Sequence, residues 1–170
     1  MKKGKLLSII FALFFSLSVL SLADEAYIAS FNILRLGAVK KDIPQTAKLL
    51  QGFDIVGLVE VINRDGVEEL VDELNKQGNE KWDYHISPFG VGSSKYKEYF
   101  AYVYKKDKVK FIKSEGFYKD GKSSLLREPY GATFKIGNFD FTLVLVHTIY
   151  GNNEAQRKAE NFKMVDVYDY

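Results

Sequence analysis

The chain carries two kinds of apolar pattern, one in its first half and another beyond it. Residues 26–34 (AYIASFNIL) read as a first strand, with Asn32 near its end. Asp42 is placed to cap a short helix over Ile43–Gln51, with Pro44 in its first turn and Gly52 just past its end. The run Ile55–Val59 holds no polar residue and is short for a helix. It predicts a strand buried on both faces. Val67, Leu70, Val71 and Leu74 recur at helical spacing, so a helix is expected over about Gly66–Gln77, stopped by Gly78.

Beyond Trp82 the period falls to two. Tyr96, Glu98, Phe100, Tyr102 and Tyr104 share one face of a strand, and Tyr99, Ala101 and Val103 share the other. Lys106-Asp107 marks a turn into a short strand, Val109–Ile112. Gly137-Asn138 separates two alternating segments, 130–136 and 139–147, and predicts a tight hairpin. The second arm, which ends FTLVLVH, is apolar on both faces and is expected to be central in its sheet. An amphipathic helix follows, with Ala155, Ala159, Phe162 and Val165 in line. It still runs at Tyr170 without a stop signal, which reads as an incomplete chain.

The N-terminus has a different character. Lys2, Lys3 and Lys5 precede an apolar run from Leu6 to Leu20, and Ser21-Leu22-Ala23 supplies small residues at the two positions a signal peptidase reads. Residues 1–23 are expected to be a signal peptide cleaved before Asp24, and residues 24–170 a portion of one domain. A secreted or periplasmic protein follows, with no stable membrane association after cleavage. Removal of three lysines leaves 21 basic against 22 acidic residues, so no strong positive field draws in nucleic acid. The sequence has no Cys, so the exported chain is not held by disulfides.

Charge placed against this apolar background marks the candidate chemistry. Glu60 follows five residues without polarity, and Asn32 likewise ends a strand. In α/β architectures that edge is where ligands bind, and an Asn–Glu oxygen pair suits Mg²⁺ or Ca²⁺. Glu98 is a charge on an aromatic face, and His147 ends the most hydrophobic strand. Together they suggest a carboxylate orienting an imidazole, the arrangement of a general acid or base. Arg127, in LLREPYG, is suited to hold a phosphate by its guanidinium fork.

The order of ASFNIL, FDIVGLVEV, YKEYFAYVY, LREP and LVLVHT resembles the endonuclease/exonuclease/phosphatase superfamily, in its deoxyribonuclease I-like branch. The likeness runs from about Ala26 to Tyr168. It implies part of a four-layer α/β/β/α sandwich, two mixed sheets packed face to face with helices outside. It implies a metal-dependent phosphodiesterase, most directly a DNA endonuclease, with Mg²⁺ as cofactor and Ca²⁺ or Mn²⁺ as alternatives. Glu60 resembles the metal-binding Glu, and Asn32 the Asn that supports the metal and phosphate site. Glu98 and His147 resemble the paired Glu and His of the nuclease branch. Tyr96 resembles the Tyr that packs on the DNA minor groove, and Arg127 a phosphate-contacting Arg. Phospholipid phosphodiesterases and inositol- or sugar-phosphate phosphatases share the superfamily, and a non-catalytic gene remnant is the remaining alternative.

The departures are specific. Val59 stands where the family commonly has Gln, and Ile62 where the nuclease branch often has a groove-contacting Arg; Arg64 is shifted and takes no role. The later Gly-Asp-aromatic-Asn run and final Asp-His are not found. Gly137-Asn138-Phe139-Asp140 precedes His147 and sits on a hairpin, and His85 is misplaced for the final His. Gly90-x-Gly92-x-x-Lys95 leads into an aromatic strand, which excludes a nucleotide loop. The expectation is a first half of the fold, inactive or nearly so by itself.

Overall fold

The order along the chain is β1 (Ile28–Leu36), α1 (Ile43–Leu50), β2 (Ile55–Val61), α2 (Arg64–Gln77), β3 (Trp82–Ile86), β4 (Val91–Gly92), β5 (Lys97–Lys105), β6 (Val109–Phe117), β7 (Tyr130–Ile136), β8 (Phe139–Leu145), α3 (Glu154–Phe162) and α4 (Met164–Tyr168). These elements come from a computed structural model that describes residues 25–119, 121, 125–151 and 153–170. The expected signal peptide lies outside them. Among the described residues no helix is long and apolar enough to cross a membrane.

Local chemistry sets the helix boundaries. Asp42 caps α1 by accepting the Gln45 amide at 3.0 Å, and Asn63 caps α2 by accepting that of Gly66 at 2.9 Å. Gly78 ends α2. Both helices pack on one face of a mixed sheet ordered β1-β2-β5-β3, in which β1 and β2 are parallel and the other pairs antiparallel; β4 also pairs with β5. The helix-side core joins Ala47, Leu50, Val67, Leu70 and Leu74 to Ile33, Val56, Leu58, Ala101 and Val103 of the sheet.

The second sheet, β6-β7-β8, is antiparallel and packs against the opposite face of the first. Its core is aromatic: Phe100, Tyr102, Tyr130 and Phe134 are fully buried between the sheets. The Tyr102 hydroxyl lies 2.8 and 2.9 Å from the main-chain oxygens of Tyr130 and Leu143 and has its one proton to share between them, so a polar group so deep is satisfied. Residues of α4 and the chain end lie over the outer face of this sheet, where Val167, Tyr168 and Tyr170 line a cleft of about 440 Å³ with Gly131, Thr142 and Val144. Helix, sheet, sheet and helix therefore stack in that order.

Gly57 controls how closely the sheets approach. A Cβ there would sit 2.3 Å from Leu145 Cδ2, so only glycine lets β8 lie so close to β2. That approach brings the residues after Leu145 to the end of β2.

The structure differs from sequence expectation in four places. The β3 strand was not anticipated: Asp83 and His85 break its apolar pattern, and the edge of β5 organises it. The β6 strand runs five residues past Ile112 because β7 offers a longer ladder. Among the described residues β8 has a neighbour on one side only, and Val144 and Val146 are exposed, so it is not central here. The last helix divides at Lys163 and ends at Tyr168, and its apolar stripe faces outward: Phe162 and Val165 are exposed while Glu160 is buried.

Candidate active site

The site begins with a phase slip in β2. Val59 belongs to the core between the sheets and Val61 to the helix-side core, although residues two apart on a regular strand share a face. Glu60 is the extra residue. It takes a left-handed φ of 61°, and the register shifts between Leu58 and Val61. The neighbouring strand slips likewise between Asn32 and Leu36, where Leu34 and Arg35 have φ of 48° and 58°. These three are the positive-φ non-glycine residues among those described, and all lie at one corner of the sheet. Each such residue costs roughly 1–3 kcal/mol and persists where surrounding structure enforces it, commonly at functional sites.

The slip turns Glu60 toward Asn32. Asn32 Nδ2 donates to Glu60 Oε1 at 2.8 Å, and Asn32 Oδ1 accepts the Leu34 amide at 2.9 Å. The second bond settles which way the amide points. The expected neighbours thus meet: in this arrangement Asn32 offers its NH₂ to Glu60, and its oxygen accepts from Leu34 with a second lone pair left over. Glu60 is the charged oxygen donor of the pair, about one-fifth exposed.

Four residues from three other segments meet at the same corner. Glu98 faces the space between the sheets and is fully buried. His147 Nδ1 lies 2.5 Å from Glu98 Oε1, and His147 Nε2 lies 3.8 Å from Glu60 Oε1. Arg127, from the β6–β7 connection, places Nε 3.3 Å from the same Glu98 oxygen. That angle makes no hydrogen bond, so Arg127 Nε and Nη1 and Glu98 Oε2 are buried polar atoms with unmet capacity. Such capacity is costly unless a ligand meets it. Tyr96 precedes β5 beneath the Arg35 guanidinium, which sits 5.5 Å over its ring. Burial first, then the Glu98 and Glu60 charges, raise the Tyr96 phenol above its ordinary range, with Arg35 and Arg127 pulling it down. The phenol is a neutral hydrogen-bond donor at neutral pH.

All six residues named from the sequence thus converge. The other histidine does not join them: His85 Nε2 bonds the Tyr130 hydroxyl at 2.7 Å and its ring stacks on Phe111. Burial, helped by Arg64, lowers the His85 pKa, as suits a neutral core ring. Two residues were missed. Arg35 carried one weak signal, a basic residue three after Asn32. Glu160 carried none.

Electrostatically the site joins two carboxylates, Glu60 and Glu98, to the His147 imidazole and the Arg127 guanidinium, with the Arg35 guanidinium beside them over Tyr96. Among the described residues no three His, Asp or Glu side chains form a metal cage. A single hard carboxylate instead fits Mg²⁺, which is commonly held by one or two carboxylates, water and substrate phosphate.

No family model matches the chain. A deoxyribonuclease of Thioalkalivibrio sp. (strain K90mix) is 32% identical over 136 residues, covering 78% of this chain and 37% of the relative. Human deoxyribonuclease-1 is 30% identical over 185 residues, covering 99% of this chain and 61% of the relative. The chain therefore spans roughly one-third to three-fifths of the length of these relatives. In fold it is similar to an endonuclease/exonuclease/phosphatase family protein of Leptotrichia buccalis, with a TM-score of 0.53 at 13% identity, over 83% of this chain and 60% of that one. Sandwich and relatives agree: the chain is similar in sequence to deoxyribonucleases of the deoxyribonuclease I-like branch, and in fold to the endonuclease/exonuclease/phosphatase superfamily.

Proposed function

We propose that this chain carries one part of the active site of an exported, divalent-metal-dependent phosphodiesterase that cuts DNA as an endonuclease. The observation that carries the reading is the junction of two pairs, Asn32–Glu60 and Glu98–His147, with the His147 ring between the carboxylates, Nδ1 toward Glu98 and Nε2 toward Glu60. Deoxyribonuclease relatives favour DNA over phospholipid or inositol phosphate as substrate.

The residues divide the work. Glu98 accepts from His147 Nδ1–H, which fixes the tautomer and leaves Nε2 facing the reaction. There Nε2 takes a proton from the attacking water, or returns one to the leaving oxygen as the phosphorus–oxygen bond breaks. Arg127, with buried N–H groups unmet by protein, receives a phosphate oxygen. Tyr96 lies against the backbone or base beside Glu98. Asn32 holds Glu60 in the orientation in which its carboxylate would bind Mg²⁺, with Ca²⁺ or Mn²⁺ as substitutes. When bound, such an ion supplies positive charge to the scissile phosphate.

Only one of the two histidines implied by the family stands at the cluster. Residues 24–170 by themselves are therefore expected to nick supercoiled plasmid weakly or not at all in Mg²⁺ or Mn²⁺. Joined to a segment carrying the family's further Asp, Asn and His, they are expected to cleave, and Glu60→Ala is expected to abolish that cleavage. Robust cleavage by residues 24–170 that survives His147→Ala would show that the site has been misassigned. Preferential hydrolysis of inositol phosphate by the joined protein would instead select the phosphatase reading.

A further inference from the structure

Glu160 is the buried residue of α3, in a helix whose apolar side chains face outward. Burying a carboxylate is expensive unless both oxygens are satisfied, and here both are. Oε1 accepts the Leu126 amide at 3.0 Å, and Oε2 accepts the Ile149 amide at 2.5 Å. The two amides belong to different irregular segments. Leu126 precedes Arg127 in the β6–β7 connection, and Ile149 lies two residues after His147, between β8 and α3. Neither segment has a sheet ladder to satisfy its main chain at these points, so each depends on this one side chain.

From this geometry we infer that Glu160 is a positioning residue: its carboxylate clamps the two loops that deliver Arg127 and His147 to Glu98. Glu98 is held rigidly by β5, but its two partners arrive from loops. Their separation is set where the loops are tied together, and that tie is Glu160, one oxygen to each. An apolar residue would bury more cheaply here but would leave both amides unmet and the loops free to part. The inference rests on the phosphodiesterase reading only for its catalytic consequence; the clamp itself is independent of it.

Glu160→Gln tests this with little change of shape. The amide keeps one acceptor oxygen and turns an NH₂ toward the second N–H, so one tie is lost. In the full chain, NMR is expected to show amide exchange of Leu126 or Ile149 faster by about tenfold or more. The His147 Nδ1 proton, expected downfield while it bonds Glu98, should weaken or move, while His85 signals stay in place. In any form of the protein that cleaves plasmid, kcat is expected to fall by about 100-fold with KM for DNA nearly unchanged, the pattern of displaced catalytic groups. Glu160→Asp, which keeps both acceptors, should recover part of the loss and serves if the Gln variant does not fold. Faster amide exchange with an unmoved His147 proton and unchanged kcat would overturn the inference, leaving Glu160 a mere loop tie. A displaced His147 proton in a protein that cuts no phosphodiester in any form would uphold the clamp and refute the phosphodiesterase reading.

Discussion

Asn32 and Glu60 join side chain to side chain at 2.8 Å across the parallel β1–β2 pair, at the point where both strands lose register. A parallel ladder alone does not produce this contact; it depends on the two irregularities together. Asn32→Ala removes the donor that orients Glu60 and leaves the ladder intact. Affinity for Mg²⁺ or Mn²⁺, measured by calorimetric titration, is expected to fall by about 10–100-fold, the usual range for loss of a residue that orients a ligand. Unchanged affinity with unchanged stability would detach Asn32 from the metal.

The left-handed Glu60 sets function against stability. Glycine adopts its φ of 61° without strain, so Glu60→Gly is expected to be more stable than Glu60→Ala by about 1 kcal/mol in urea unfolding. Both variants are expected to abolish metal-dependent cleavage. Equal stabilities would mean that the backbone at Glu60 is not strained.

Gly57 links the core to the site. Gly57→Val places carbon where Leu145 Cδ2 now lies and is expected to destabilise by about 1–3 kcal/mol through overpacking. It should also push β8 outward and part His147 from Glu98. Thermal unfolding reads the first effect, and loss of the downfield His147 proton reads the second. A variant that melts like the parent with that proton unmoved would show that the sheets have slack here.

At the other end of β2, Asp54 accepts the Tyr27 amide and the Lys108 ammonium, each at 2.8 Å, with Lys105 at 3.6 Å. Burial raises its pKa, but the Lys108 bond, the Tyr27 amide and the two lysine charges outweigh it, so the net shift is downward. A depressed carboxyl contributes stability above its unfolded pKa of about 4 and loses it as pH falls through the lower folded value. Urea midpoints are expected to be level from neutral pH to about 5 and to drop below about 4. Asp54→Asn should be less stable at neutral pH and show a shallower drop. An identical acid slope in parent and variant would remove Asp54 from the account.

How much of this was legible depended on the range of the forces involved. Helices α1 and α2 could be read because their apolar spacing and their Asp42 and Gly78 signals act within a few residues. The two faces of β5 were equally plain, since alternation is a local property. Asn32, Glu60 and His147 stood out as polar groups at the ends of apolar runs, and the order of the motifs along the chain carried the family resemblance.

What sequence alone did not determine was long-range. The β3 strand and the far half of β6 exist because a partner strand offers hydrogen bonds, which their own residues do not announce. Glu98 stood out as a charge on an aromatic face; its complete burial required His147 and Arg127 to arrive from 49 and 29 residues away. The strained backbone of Glu60 left no trace, because nothing in a glutamate codes for positive φ and tertiary packing imposes it. Glu160 was invisible for the same reason. Its role depends on two main-chain amides that every sequence possesses, and only the folded chain decides which side chain meets them.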